Sequence, residues 1–201
     1  GLNSFLKEFK YEFTEKPLQA TEISRVAIKE GTELIVGVGG DGTMNEIANG
    51  FYENQEIINP VVSLGIVPSG SGCDFTKSLN IPLGFKNALK VITQAPSSLI
   101  DVGSAKFKSY SGKEEERFFI NVADFGIGGE VVKKVNQSRM RRKASSYLRC
   151  LISTFVTYKN KKVRIKIDDE ELPIDEYMIG AISNGRIFGK GMKIAPYAEL
   201  D

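Results

Sequence analysis

Two glycine-rich turns hold the residues best able to do chemistry. The first is GVGGDGTMNEIANG (37–50), where Gly37, Gly39, Gly40 and Gly42 surround one acid, Asp41. The second is PSGSGCDFTKS (68–78), where Ser69, Gly70, Ser71 and Gly72 precede Asp74 and Lys77. Glycines let backbone N–H groups approach an anion, and a helix N-terminus adds partial positive charge. A carboxylate in such a cradle repels phosphate unless a divalent cation lies between them. Asp41 therefore points to a nucleoside triphosphate with Mg²⁺. Gly37, Gly39 and Gly42 also match G-x-G-x-x-G, with Glu56 near the spacing of a ribose-binding acid. Asp41 inside the turn argues against that dinucleotide reading. Neither turn supplies the Gly-Lys-Ser/Thr of a Walker A loop.

The chain has no histidine, so imidazole bases, Ser-His triads and imidazole metal ligands are excluded. Proton transfer falls to a carboxylate, Lys, Tyr or Cys, and any metal to oxygen donors. Cys73 and Cys150 are far apart and form no metal-type spacing; their scarcity favours a reduced, cytoplasmic setting. Apolar residues make up 41% and charged residues 26%, as in ordinary globular domains. No apolar run approaches the ~18 residues of a membrane span.

The elements that must position these turns can be read from periodicity. Residues 18–30 form a helix pattern stopped by Gly31, and ELIVGV (33–38) reads as a buried strand. TMNEIANGFY (43–52) reads as a helix, with Thr43 as its cap and Glu46 completing a capping box. VVSLGIVP (61–68) is a second buried strand, and FKNALKVITQ (85–94) an amphipathic helix. This alternation implies a mostly parallel sheet with crossover helices, and both turns at strand carboxyl ends, where ligands bind. After Pro96 the pattern becomes β-rich: strands over 99–107, 117–125 and 176–184, an Asp-Asp turn within 163–172, and one helix near 144–158. The fold class is α/β, with a nucleotide-binding domain over 1–98 and a β-rich domain over 99–201.

GGDGT (39–43) running into MNEIANGF (44–51) resembles the nucleotide motif of the diacylglycerol and sphingosine kinase superfamily. VPSGSGCDFTKSLNIP (67–82) resembles its Pro-x-Gly-Thr/Ser-x-Asn-Asp-Phe-Ala-Arg block. NVADFGIGGEVV (121–132) resembles its Asn-x-x-Gly-x-Gly segment, and SNGRIFGKGMKIAPYAELD (183–201) its Asn-Gly…Gly-Gly-Gly…Ala-Pro-Asp-Ala…Asp segment. The blocks follow family order across nearly the whole chain. The resemblance implies an ATP- and Mg²⁺-dependent lipid kinase with a three-layer N-terminal α/β domain and a β-rich second domain. Gly39, Gly40, Gly42, Thr43 and Asn45 would meet the nucleotide from the first turn, and Ser69, Gly70, Ser71 and Gly72 from the second. Asp41 and Asp201 would serve the metal. Asp74 would stand near the substrate hydroxyl as the one catalytic assignment, with Lys77 and Asp101 also on the substrate side. Lys77 replaces the family's Arg, Cys73 its Asn, Asp124 a Gly, and Tyr197 the aspartate of Ala-Pro-Asp. The family's opening strand with its Asn-Pro-x-(Ser/Ala)-Gly turn, and the Asp-Gly-Glu stretch bearing the base, find no counterpart here. The 201 residues are therefore expected to be an internal piece, inactive by itself. Rival readings are NAD kinase and a non-catalytic nucleotide- or lipid-binding regulator.

Charge is uneven. Net charge is +2, yet residues 131–150 carry seven basic residues and no acid. Lys133, Lys134, Arg139, Arg141, Arg142, Lys143 and Arg149 are followed or interleaved by an apolar stripe of Tyr147, Leu148, Leu151, Ile152 and Phe155. Such a segment suits an anionic membrane surface. A lipid substrate, no nucleic acid, a cytoplasmic location peripheral to membrane, and an open oligomeric state complete the expectation.

Overall fold

Two parallel strands carry both glycine turns. In the computed structural model, which describes residues 9–109, 111–137 and 144–201, strand β1 (Leu34–Gly39) follows helix α1 (Gln19–Lys29) and leads into α2 (Asp41–Gly50). A short hairpin, β2 (Tyr52–Glu53) and β3 (Glu56–Ile57), precedes β4 (Ser63–Pro68), which lies parallel to β1 from Leu34↔Ser63 to Gly39↔Pro68. Then come α3 (Asp74–Ser78), α4 (Phe85–Gln94) and an antiparallel pair, β5 (Gly103–Lys108) with β6 (Glu114–Phe119).

Side chains alternate across the β1–β4 pair and build three layers. Ile35, Leu64 and Ile66 join Met44, Ile47 and Ala48 of α2 on one face. Val36 and Val67 join Ala88, Leu89 and Ile92 of α4 on the other. Met44, Phe75 and Leu89 are each 1% exposed. Burial of one such side chain contributes about 2 kcal/mol relative to exposure. The expected three-layer α/β arrangement with a parallel sheet is what the structure shows.

The rest comprises β7 (Val122–Gly126), α5 (Ile127–Gln137), α6 (Ala144–Thr157), β8 (Lys161–Val163), β9 (Lys166–Ile167), β10 (Glu170–Glu171), β11 (Asp175–Tyr177) and β12 (Ile179–Ser183). β7 pairs with β12, β8 with β11, and β9 with β10 across an Asp168–Asp169 turn in which Asp168 has φ 52°. Two compact units result: Gly1–Val122 with Ser183–Asp201, and Ala123–Ile182. β5 and β6 lie within the first of these units.

Several elements differ from their sequence expectation. α2 begins at Asp41, not Thr43; its N-cap is Gly40 and no side chain caps it, so the Thr43–Glu46 capping box does not form. Residues 117–125 are broken at Ile120–Asn121 into β6 and β7, and 176–184 is broken at Met178. Both breaks release backbone groups for other partners: Asn121 C=O accepts from Asn184 and Gly185, and Met178 C=O from Ile127. The strand expected at 99–107 begins only at Gly103. α5 was hidden by its two internal glycines, so among the described residues the β-rich half contains two helices, which pack against each other, rather than one.

Candidate functional site

The glycines of the first turn serve different ends. A Cβ on Gly37 would stand 2.7 Å from Met44 Cε and Ile47 Cδ1, so this glycine lets α2 pack on β1. A Cβ on Gly40 would stand 3.1 Å from Gly70 Cα, and one on Gly70 would collide with Gly40 Cα. The two turns therefore touch backbone to backbone, fastened by the Ser69 N–H donating to Gly39 C=O at 2.8 Å. Gly42 alone among the four faces open space, with nothing within 4 Å of where a Cβ would stand. Ser69, Gly70 and Ser71 are exposed beside it. Open, side-chain-free backbone at the start of a ten-residue helix is the local arrangement that binds phosphate.

Asp41 reaches from the first turn to the second. Its Oδ2 accepts from the Asp74 N–H at 3.1 Å and its Oδ1 from the Phe75 N–H at 2.9 Å. These are the first N–H groups of α3, whose own N-cap, Cys73, makes no side-chain cap bond. Asp41 thus caps a helix that is not its own. Cys73 has φ 52°, and its thiol bonds back to the Gly70 N–H and C=O, both at 3.3 Å.

Asp74 is buried, and both its oxygens are engaged. Lys77 Nζ lies 2.9 Å from Oδ1, and the Lys190 backbone N–H donates to Oδ2 at 2.7 Å. Residues 183–191 return to this corner by further bonds: Asn184 Nδ2 donates to Ile120 C=O at 3.1 Å and Asp101 C=O at 2.5 Å, and the Arg186 N–H donates to Ser78 Oγ at 3.1 Å. Asp41 and Asp74 flank Gly72: a Cβ there would stand 3.3 Å from Asp41 Oδ2 and 3.7 Å from Asp74 Oδ2.

The turns, Asp41, Asp74 and Lys77 therefore come together as the sequence implies. Asn45, Asp101 and Asp201 do not. Asn45 donates to Phe118 C=O at 3.2 Å and accepts from the Ile120 N–H at 3.2 Å, while Asn49 exchanges two bonds with Phe118 at 2.8 and 3.0 Å. The Asn45–Asn49 pair ties α2 to the end of β6. Asp101 is exposed and joins through its carbonyl only, and Asp201 is exposed beside Leu200. Glu46 lines a cleft of about 740 Å³ with Arg25, Tyr52 and Phe118, away from the turns. Lys190 and Asn184 were missed by sequence reading; the only signal was their place in the Asn-Gly…Gly-x-Gly stretch.

A second acid-bearing corner lies in the other unit. Asp124 Oδ2 is buried with no hydrogen-bond partner, packed where Gly128 leaves room at the start of α5. Burial raises the Asp124 carboxyl above its ordinary pKa.

No three acid or thiol side chains converge as a metal site among the described residues. Two carboxylates do flank Gly72. Mg²⁺ is commonly held by one or two carboxylates, completed by phosphate oxygens and water, and this donor set fits that mode.

A strand-turn-helix arrangement, repeated across two parallel strands, defines the class: a mixed α/β protein. The sequence profile of the diacylglycerol kinase catalytic domain matches residues 2–105, and that of the YegS C-terminal NAD kinase beta sandwich-like domain matches 121–201. The chain belongs to the diacylglycerol kinase catalytic family. It is 28% identical over 181 residues to a probable lipid kinase YegS-like protein of Chromohalobacter salexigens, covering 89% of this chain and 54% of that protein. It is 29% identical over 200 residues to a diacylglycerol kinase of Staphylococcus carnosus, covering 94% of this chain and 57% of that one. It is 32% identical over 145 residues to a Staphylococcus aureus diacylglycerol kinase, covering 72% and 39%. The chain spans little more than half the length of the first two. A solved Bacillus anthracis structure, described as a proposed diacylglycerol kinase, superposes with a TM-score of 0.71 at 23% identity, covering all of this chain and 63% of that one, and so shares its fold.

Proposed function

We propose that the whole protein is an ATP-dependent lipid kinase, moving the γ-phosphoryl group to the hydroxyl of diacylglycerol or a related lipid. The observation that carries this reading is the paired turn: Gly40 against Gly70, with open backbone at Gly42 and Ser69–Ser71, and Asp41 and Asp74 around Gly72. The N–H groups of Gly40, Gly42 and Thr43, with those of Ser71 and Gly72, orient the phosphates, and Ser69 and Gly70 line the turn beside them. Asp41, with Asp74 beside it, would hold Mg²⁺, which would supply neutralisation of the phosphate charge. The lipid hydroxyl oxygen bonds to the γ-phosphorus, the bond to ADP breaks, and the hydroxyl proton passes to a base. Asp74, held by Lys77 at 2.9 Å and by the Lys190 N–H at 2.7 Å, positions the substrate side. Residues 1–98 carry most of the nucleotide side and residues 99–201 most of the lipid side, with 183–191 returning to the glycine turns.

The same reading includes a peripheral membrane contact through residues 133–149. Arg139, Arg141, Arg142 and Lys143 lie outside the described residues. Among those described, Ile152 and Phe155 of α6 are 56% and 58% exposed, as an interfacial stripe requires. No helix among the described residues is long and apolar enough to cross a membrane.

Calorimetric titration of the chain with ATP and Mg²⁺ tests the site; binding that needs both supports it, and an absence of heat overturns it. Labelled ATP and a lipid panel, applied to the whole protein, test the reaction. Pelleting with liposomes, with and without anionic lipid and across salt, tests the surface; binding indifferent to both removes that part.

A further inference from the structure

The loop that delivers the Lys190 N–H to Asp74 is unusual in its backbone. Gly189, Lys190 and Gly191 have φ of 62°, 69° and 108°, three left-handed residues in succession. Phe188 and Met192 close the loop by exchanging two backbone bonds of 2.9 Å. Glycine adopts this conformation freely, whereas a side chain there is strained. The stretch matches the Gly-Gly-Gly of the resembled segment as Gly189-Lys190-Gly191, so lysine occupies a position where glycine would relieve the strain. A strained residue that persists is a pointer to function when its side chain reaches a site. This one does: Lys190 Cγ lies 3.8 Å from where Gly72 would carry a Cβ, on the second glycine turn and beside Asp41 and Asp74.

The site also has an electrostatic gap. Two carboxylates flank the turn, Lys77 is paired with Asp74, and neither turn carries a Walker-type lysine. A polyphosphate docking there meets more negative than positive charge from the first unit's turns alone. We propose that Lys190 is the phosphate-binding lysine of this chain, its ammonium set against the terminal phosphates of a nucleoside di- or triphosphate. It supplies from a distant loop the charge that a P-loop supplies from within. This inference rests on the nucleotide reading above.

The test titrates the full chain, wild type, K190G and K190R, with Mg²⁺-ATP and with AMP, and records the melting temperature of each. K190G keeps the backbone N–H for Asp74 and removes both the charge and the strain. It is expected to weaken Mg²⁺-ATP binding about tenfold, the scale of one charge-assisted contact. AMP binding and melting temperature should be unchanged or, for the latter, raised. K190R should retain most of the triphosphate affinity. Wild-type affinity for Mg²⁺-ATP in K190G overturns the proposal while leaving the nucleotide reading intact. So does an equal loss for AMP, which would make Lys190 a shaper of the turn. A wild-type chain that binds neither nucleotide overturns both.

Discussion

Two acid-bearing corners of this molecule are built on opposite terms. At the glycine turns, Asp41 and Asp74 use four carboxylate oxygens on three backbone N–H groups and one ammonium. At the start of α5, Asp124 has an oxygen out of contact with solvent and protein donors alike. Charge buried with partners holds neighbouring segments in register, here residues 39–43, 69–78 and 188–192. Charge buried without them is a cost carried by the fold. The difference shows that the acids of the turns have a structural duty before any metal or nucleotide arrives.

That duty can be challenged in order of effect. Gly70→Ala puts a methyl into Gly40 Cα, a backbone atom that cannot swing aside. We expect a loss of about 3 kcal/mol in denaturant unfolding; a loss near zero would mean the turns are not in contact. Asn49→Ala removes bonds to Phe118 and Asn45 and leaves the Phe118 N–H without its acceptor, for about 2 kcal/mol. It should leave nucleotide affinity intact, because the asparagine pair serves β6 and not the turns. Asp41→Asn keeps one acceptor for α3 and should cost about 1 kcal/mol in stability. If Asp41 is also a magnesium ligand, Mg²⁺-ATP affinity falls far more than this small loss of stability accounts for. Equal, modest losses in both would assign it to capping alone.

The sequence disclosed some of this readily and some not at all. α4 runs over the same ten residues read from periodicity, because Ala88, Leu89 and Ile92 mark one face without interruption. The parallel pair and its three layers followed from two apolar runs separated by a helix. The glycine turns were visible, but not their division of labour, since Gly40 and Gly70 are explained by each other across thirty residues of chain. Asn45 looked like part of the phosphate motif; its partner, the end of β6, is more than seventy residues away. α5 was obscured because Gly128 and Gly129 lower helix propensity, and the packing that overrides propensity is tertiary. Lys190 was obscured for the same reason: a hairpin loop's register cannot be read from its composition.

The smallest expected effect comes from the unpartnered corner, and its sign distinguishes it from the rest. Burial raises the Asp124 carboxyl above its ordinary value, so the folded state binds the proton more tightly than the unfolded chain does. The contribution of Asp124 is most favourable below the unfolded carboxyl pKa of about 3.9, and it is lost as pH rises through the higher folded-state value. At neutral pH the ion is held where its Oδ2 has no donor, so Asp124→Asn should raise the melting temperature there. The gain should shrink toward zero as the pH falls into the carboxyl range. Asp41→Asn should lower stability at neutral pH, because its charge is met by two N–H donors. Melting temperatures of the two variants at neutral pH would therefore move in opposite directions from wild type, and for Asp124→Asn alone the difference would close on acidification. Shifts of the same sign at neutral pH would mean that the two corners do not differ in the way their hydrogen bonds indicate.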